Sequence, residues 1–485
     1  MVYRMNKRRV ALSNFIWRFF ERAGAQGVTL VVSIILARLL DPALYGTIAL
    51  VTVLITILQV FIDSGMGTAL VQKKDADDLD FSSVFYFNLV MCSVLYFLMF
   101  LAAPAISHFY KMSDLTPVIR VLSLTLIVSG VKNIQQAYVS RNLLFRKFFF
   151  ATLGGTIGAA ILGIVLAYRG FGIWALVAQH LFNATVDTII LWITVRWRPK
   201  AQFSAQRLKV LINYGWKLMV SSLIDRTYSE LRQLIIGKKY STADLAFYNK
   251  GEQFPAAIAT NINTSIESVI LPMMSKEQDD IAHVRDMTRR TIQVSTYILA
   301  PLMIGFAACA EPLVRLLLTE KWLPCVPFLR IYCLTYIFQP IHTSNLNAIK
   351  AVGRSDIFLK LEIIKKAVGM TVLLATMWFG PLVMAYSMLF TSVASQIINS
   401  WPNRRLLDYS YRKQLRDIFP TLLTALFMGG FVYCVLLLRL GDVVTIAIQV
   451  VLGAVIYIAG SKLLNLESFH YVLTDAKAFL SRARG

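Results

Sequence analysis

Stretches of about twenty apolar residues recur along the whole chain, each closed by charged or turn-forming residues. That recurrence limits the possible folds more than any motif does. A run of this length, coiled at about 1.5 Å per residue, matches the hydrocarbon core of a bilayer. The windows fall near 15–38, 44–64, 82–105, 118–140, 148–167, 171–195, 213–236, 246–271, 288–311, 323–345, 358–378, 382–400, 418–438 and 443–463. The expected fold is therefore an all-α integral membrane protein with about 14 transmembrane helices. Composition agrees: 57 % of residues are hydrophobic and 16 % charged, against roughly 45–50 % and 25 % in soluble domains.

The formal net charge is +22, which in a soluble protein would suggest a nucleic-acid partner. Here the basic residues punctuate apolar runs and form no single stripe, so nucleic acid is not expected as a partner. Lys and Arg favour alternate loops by about four to one, which predicts that both termini face the cytoplasm. The basic start MVYRMNKRRVALSNFIWRFFERAG lacks an apolar core followed by a small-residue cleavage site, and reads as a cytoplasmic arm. Five scattered cysteines without a C-x-x-C pattern read as small buried hydrophobes, and no metal or other cofactor is expected. Asp75, Asp77, Asp78 and Asp80 imitate a D-x-D cluster but read as a solvated turn, since nothing nearby completes a site. No connection is long enough to house a soluble catalytic domain, so the chain is expected not to be an enzyme.

Weak internal matches suggest a repeat. ILARLLDPALYGTIA faces IIGKKYSTADLAFYN, DSGMGTALVQKK faces IESVILPMMSKE, and RWRPKAQFSAQRLK faces NRRLLDYSYRKQLR. The expected organisation is a cytoplasmic arm (1–14), a six-helix lobe (15–195), a basic cytoplasmic linker (196–212), a second six-helix lobe (213–400), a basic loop (401–417), a terminal helix pair (418–463) and an amphipathic cytoplasmic tail (464–485). Parallel or inverted halves are how many transporters build a site. In the fifth window Ala151, Gly155, Ala159, Gly163 and Ala167 recur every four residues, a stripe that lets another helix approach closely.

Charged groups inside spans cost about 2.5–3.5 kcal/mol each at a helix centre, so their positions carry the functional signal. In the seventh window Asp225, Arg226, Ser229, Glu230, Arg232 and Gln233 share one helical face. Arg226 lies roughly 14–18 Å from either end of that helix. The eighth window carries Asn249, Gln253, Thr260, Thr264 and Glu267 on one face with Lys250 and Asn261 beside it, and Pro255 should kink or break it. Arg22 lies in the first turns of the first window. One reading is a hydrated cationic cavity, lined by Arg22, Arg226, Arg232, Lys250, Asn249, Gln253 and Asn261, that takes an anionic group on an otherwise neutral polar ligand. The other is that Asp225, Arg226, Glu230 and Arg232 are self-neutralising pairs that hold the bundle together. Glu230, one turn beyond Arg226, is placed for an i,i+4 ion pair that an arriving anion would open. That makes Glu230, with Asp225 and Glu267, a candidate for proton coupling. His180 and Asp187, i and i+7, admit a relay or an interior histidine.

ILARLLDPALYGTIAL, DSGMGTALVQKK, FGIWALVAQ, RWRPKAQFS and above all LAFYNKGEQFPAAIATNINTSIESVILPMMSK resemble the landmarks of Wzx-type polysaccharide flippases. These belong to the multidrug/oligosaccharidyl-lipid/polysaccharide superfamily. The resemblance implies a fourteen-helix, two-lobed transporter of the bacterial inner membrane. It would move undecaprenyl-diphosphate-linked repeat units for O-antigen, capsule or exopolysaccharide assembly, with membrane lipids, a polysaccharide polymerase and chain-length machinery as partners. A diphosphate suits bidentate arginines. Two other classes stay open at this point: a drug or organic-cation antiporter of the same superfamily, which would want an acidic or neutral cavity, and a non-transporting membrane enzyme of polysaccharide assembly.

Overall fold

The structure is a computed structural model that describes residues 24–474 except 64, 65, 74 and 143. Its described residues divide into two compact units, Met1–Ala246 and Phe247–Gly485. The first contains α1 (Gly24–Leu39), α2 (Pro42–Asp63), α3 (Met66–Gln72), α4 (Asp78–Tyr110), α5 (Leu115–Leu122), α6 (Leu124–Arg141), α7 (Phe145–Tyr168), α8 (Ile173–Thr194), α9 (Ala205–Lys239) and the start of α10 (Thr242–Lys276). The second holds the rest of α10, then α11 (Ile281–Ala308), α12 (Ala310–Leu318), a 3-10 turn at Glu320–Cys325, α13 (Val326–Ile337), α14 (Gln339–Ala351), α15 (Ser355–Thr376), α16 (Pro381–Leu406), α17 (Tyr411–Cys434) and α18 (Asp442–Leu463). The boundary between these units falls within α10, and α9 packs along α2, α3 and α4.

Nine helices among the described residues are long and apolar enough to cross a membrane. The remaining expected windows are also helical over most of their described residues. However, α1 is described only from Gly24, α9, α10 and α15 carry many charged residues, and the window 323–345 is divided between α13 and α14. Pro255 does not break its helix: α10 runs continuously through Pro255 and Pro272. Packing carries the backbone across the missing bond, since Gly251, Phe254, Pro255 and Ala259 are all buried.

The sequence match between ILARLLDPALYG and IIGKKYSTADLAFYN falls on a shared local structure. α1 ends at Leu39 and α2 starts at Pro42, while α9 ends at Lys239 and α10 starts at Thr242. Pro42 fits the first helical position, where no amide is needed. At the second break Ser241 and Asp244 cap each other, with Asp244 N–H donating to Ser241 Oγ at 3.0 Å and Ser241 N–H to Asp244 Oδ2 at 3.2 Å. The two breaks touch. A Cβ added to Gly46 would lie 1.7 Å from the Thr242 carbonyl oxygen, so only glycine permits this backbone approach.

The small-residue stripe of α7 packs on α8, in the most extensive helix contact of the molecule. Ala151 and Ala159 are buried, and a Cβ on Gly155 would meet the Asn183 carbonyl oxygen at 3.1 Å and Asp187 Cβ at 3.2 Å. Asp187 is buried and paired with Lys132 at 2.7 Å. His180 is exposed and lies two turns before Asp187 on the same helix.

The acidic turn is not simply solvated. Asp77 caps α4 in a capping box with Asp80. Asp80 is fully buried and accepts from Lys73 Nζ at 2.6 Å, Asp78 pairs with Lys200 at 2.7 Å, and Asp77 pairs with Arg207 at 2.5 Å. Trp197 Nε1 donates to Asp78 at 3.0 Å, and the Lys200 and Ser204 amides donate to Ser82 and Ser83. The turn thus clamps the basic segment that follows α8.

In the second unit the ends of α14, α16 and α17 are joined by neutral groups instead. Asn345 Nδ2 donates to Gln414 Oε1 at 2.8 Å, and Gln414 Nε2 donates to Asn345 Oδ1 at 2.9 Å. Asn403 Nδ2 donates to the same oxygen at 2.6 Å, and Ser400 Oγ donates to Gln414 Oε1 at 3.1 Å. All four side chains are fully buried. The tail begins as a helix over residues 467–474. Leu466 is buried there, and Glu467 pairs with Arg289 at 3.1 Å. The amphipathic stretch expected beyond 474 lies outside the described residues.

Candidate functional site

The charged face expected on α9 forms around Glu230. Its carboxylate is 9 % exposed, with Oε1 at 3.1 Å from Arg226 Nη2 and Oε2 accepting from Gln233 Nε2 at 2.7 Å. Arg226 is 47 % exposed, so its guanidinium keeps open surface while one nitrogen holds Glu230. A planar fork with five N–H donors can hold a carboxylate on one side and accept further oxygens on another. Asp225 is exposed and its carbonyl accepts from Ser229 Oγ at 2.9 Å, while Arg232 is half-buried on the same helix. The sequence placed Arg226 and Glu230 together, and the structure does so too; it adds Gln233 as the second partner of the carboxylate.

The residues expected on α10 are distributed differently. Lys250 is buried, its ammonium 3.0 Å from Gln253 Oε1 and over the Trp322 ring at 5.6 Å. Asn249 is half-buried, and Asn261 is exposed with its amide donating to the Ala257 carbonyl at 2.7 Å. Glu267 pairs with Lys350 of α14 at 3.6 Å. Arg22 lies outside the described residues.

Two polar clusters escaped the reading of the sequence. Inside the first unit Lys132 holds Asp187, and Asn133 Nδ2 donates to Asp63 at 3.2 Å. A charged Lys132 within an apolar window was the signal. In the second unit, α10 and α14 enclose a polar cavity of about 250 Å³ that Glu267 and Lys350 flank. The signal there was QPIHTSNLNAIK, an amide- and hydroxyl-rich stretch inside an otherwise apolar window.

Residues 35–327 match the family described as "Polysaccharide biosynthesis protein". The chain is 23 % identical over 412 residues to the teichuronic acid biosynthesis protein TuaB of Bacillus subtilis, covering 82 % of this chain and 84 % of that one. It is 25 % identical over 354 residues to the succinoglycan biosynthesis transport protein ExoT of Rhizobium meliloti, covering 73 % and 71 %. It is 22 % identical over 436 residues to the lipopolysaccharide biosynthesis protein WzxC of Escherichia coli, covering 88 % and 89 %. Among solved structures, the lipid II flippase MurJ in an inward closed conformation superposes with a TM-score of 0.75 at 14 % identity, over 93 % of this chain and 98 % of that one. An inward-facing MATE multidrug transporter gives 0.55 at 15 % identity, over 79 % and 94 %. The fold is that of these transporters, and with a family match spanning more than half its length the chain belongs to the polysaccharide biosynthesis protein family.

Proposed function

We propose that this protein is a multi-pass flippase of the bacterial inner membrane that carries polyprenyl-diphosphate-linked oligosaccharide repeat units from the cytoplasmic to the periplasmic leaflet by alternating access. In this reading about fourteen helices span the bilayer, both termini are cytoplasmic, and a polysaccharide polymerase and chain-length machinery receive the product. The names of TuaB, ExoT and WzxC support surface polysaccharide as the pathway.

The observation that carries the reading is the arrangement at Arg226: a half-exposed guanidinium far from either end of a long helix, beside a buried carboxylate that has a second partner. A diphosphate competes for Arg226, with Arg232 on the same helix, while Gln233 keeps Glu230 in place. Glu230, left without its counter-charge, then takes up a proton and links lipid exchange to protonation.

Deleting the gene should make lipid-linked repeat units accumulate on the cytoplasmic leaflet. In the complemented deletion strain the Arg226→Ala, Arg232→Ala double variant should abolish polymer export at normal expression, and normal export would remove the proposal's support. Glu230→Gln should leave flipping in reconstituted vesicles but weaken its response to an imposed proton gradient. An unchanged response would exclude Glu230 as the coupling group.

A further inference from the structure

The cavity between α10 and α14 is smaller than the roughly 300–1,000 Å³ of drug-sized sites, and at about 250 Å³ it has room for a single small ring. Its chemistry is unlike that of the Arg226 cluster. Glu267 and Lys350 are each about a third exposed and compensate each other, so its wall has no net charge to attract an anion. Asn263 Nδ2 donates to Thr343 Oγ1 at 2.6 Å, which ties α10 to α14 across the cavity.

Several polar atoms remain for a ligand. Asn347 is 2 % exposed, yet its Oδ1 has no hydrogen-bond partner among the described residues, and neither does the buried Oε1 of Gln339. Buried amides that the protein leaves without partners are costly unless something bound engages them. His342 Nδ1 lies 2.7 Å from Asn399 Nδ2. If Nδ1 accepts there, Nε2 carries the ring proton; with the Asn399 amide turned over, Nε2 becomes an acceptor. A hydroxyl group meets either state, because it both donates and accepts.

Neutral walls, two amide side chains with atoms left unpartnered by the protein and one ring nitrogen that suits a hydroxyl describe a polyol. We propose that this cavity is a subsite for one neutral sugar residue of the transported repeat unit, whose hydroxyl groups bond the side-chain amides of Asn347 and Gln339 and the ring of His342. The proposal rests on the flippase reading above. It concerns the sugar alone: the wall formed by α10 and α14 offers nothing to the diphosphate.

The test uses Thr343→Cys in the full chain, with the exposed Cys434 replaced by Ser; the other four cysteines are buried. Maleimide labelling of the purified protein is timed with three probes: lipid-linked repeat units extracted from the deletion strain, undecaprenyl diphosphate alone, and the oligosaccharide released from the first probe by mild acid. At ten times its Kd, the lipid-linked repeat unit should slow labelling about tenfold. The released oligosaccharide should do so at higher concentration, and the bare diphosphate lipid should not. If the lipid-linked probe binds, as judged by thermal shift, but labelling is unchanged, the subsite is overturned and the flippase reading stands. Protection by the bare diphosphate lipid also overturns it. Protection by the free oligosaccharide alone overturns the assignment to a lipid-linked ligand. If the lipid-linked probe neither binds nor protects, both readings fall. Asn347→Leu, or Gln339→Leu should the first not fold, should weaken oligosaccharide binding about five- to tenfold, the value of one lost hydrogen bond. Binding of undecaprenyl diphosphate should be unaffected, and equal losses for both probes would refute a sugar subsite.

Discussion

The two units fasten their helix ends in opposite ways. In the first, the turn at Asp77–Asp80 holds the segment after α8 through Arg207 and Lys200, while Lys73 pairs with Asp80 inside the turn, with most of the charges partly exposed. In the second, Asn345, Ser400, Asn403 and Gln414 do the corresponding work with uncharged groups that are fully buried. An exposed ion pair trades one set of well-solvated contacts for another and yields little net stability. A buried amide network has no water to fall back on, so each member depends on all the others. The first arrangement yields to salt and acid; the second does neither, and it fails if any one member is lost.

The largest effect should come from breaking the amide network. Gln414→Leu keeps the volume but strands donors and acceptors on Asn345, Ser400 and the Tyr409 carbonyl. It should cost about 2–3 kcal/mol, measured as thermal unfolding in detergent, with the same loss at low and high salt. Asp80→Asn sharpens the comparison from the other side. Lys73 is 31 % exposed and can return to water, so the loss should be about 1–2 kcal/mol; a loss as large as that for Gln414→Leu would show that the two clamps do not differ in kind.

The smallest effect concerns Asp77. The hydrogen bond from Arg207 holds its carboxyl below the ordinary aspartate range. A carboxyl depressed in the folded state contributes stability that is complete above its unfolded value, about 3.9 for Asp, and is lost as pH falls through the lower folded value. Limited proteolysis of residues 196–204 by an acid protease should therefore accelerate only below about pH 4. High salt at neutral pH should loosen the same segment by screening. Cleavage that is indifferent to both would mean that Trp197 and the Ser82 and Ser83 bonds hold the segment without the ion pairs.

Much of the architecture was legible because lipid imposes a fixed length of apolar helix, and that constraint survives in a single sequence. The same holds for contacts within one helix: the Arg226–Glu230 pair follows from spacing alone. What could not be read depends on distant partners. The acidic turn looked solvated because Arg207 and Lys200 lie more than a hundred positions away in sequence. The α10–α14 cavity was not legible because it needs two polar faces, Thr260 to Glu267 and Gln339 to Lys350, that lie about eighty positions apart in the sequence. Lys250 looked like a cavity cation, yet its neighbours Gln253 and Trp322 enclose it. Pro255 looked like a breaker because propensity describes an isolated helix, and here packing outweighs it.

The α7–α8 pair bears on how such a protein is made. Its two helices are adjacent in the chain and joined by a short turn in which Gly170 and Gly172 take positive φ. Much of their contact needs no other part of the molecule, because Gly155 of the α7 stripe meets Asn183 and Asp187 of α8, and Gly163 meets Gln179. Closing so short a loop loses little chain entropy, and contacts of low sequence separation form early. During synthesis the pair can therefore lock as a hairpin while α9 and everything after it are still on the ribosome, giving the rest of the first unit a finished wall to assemble against.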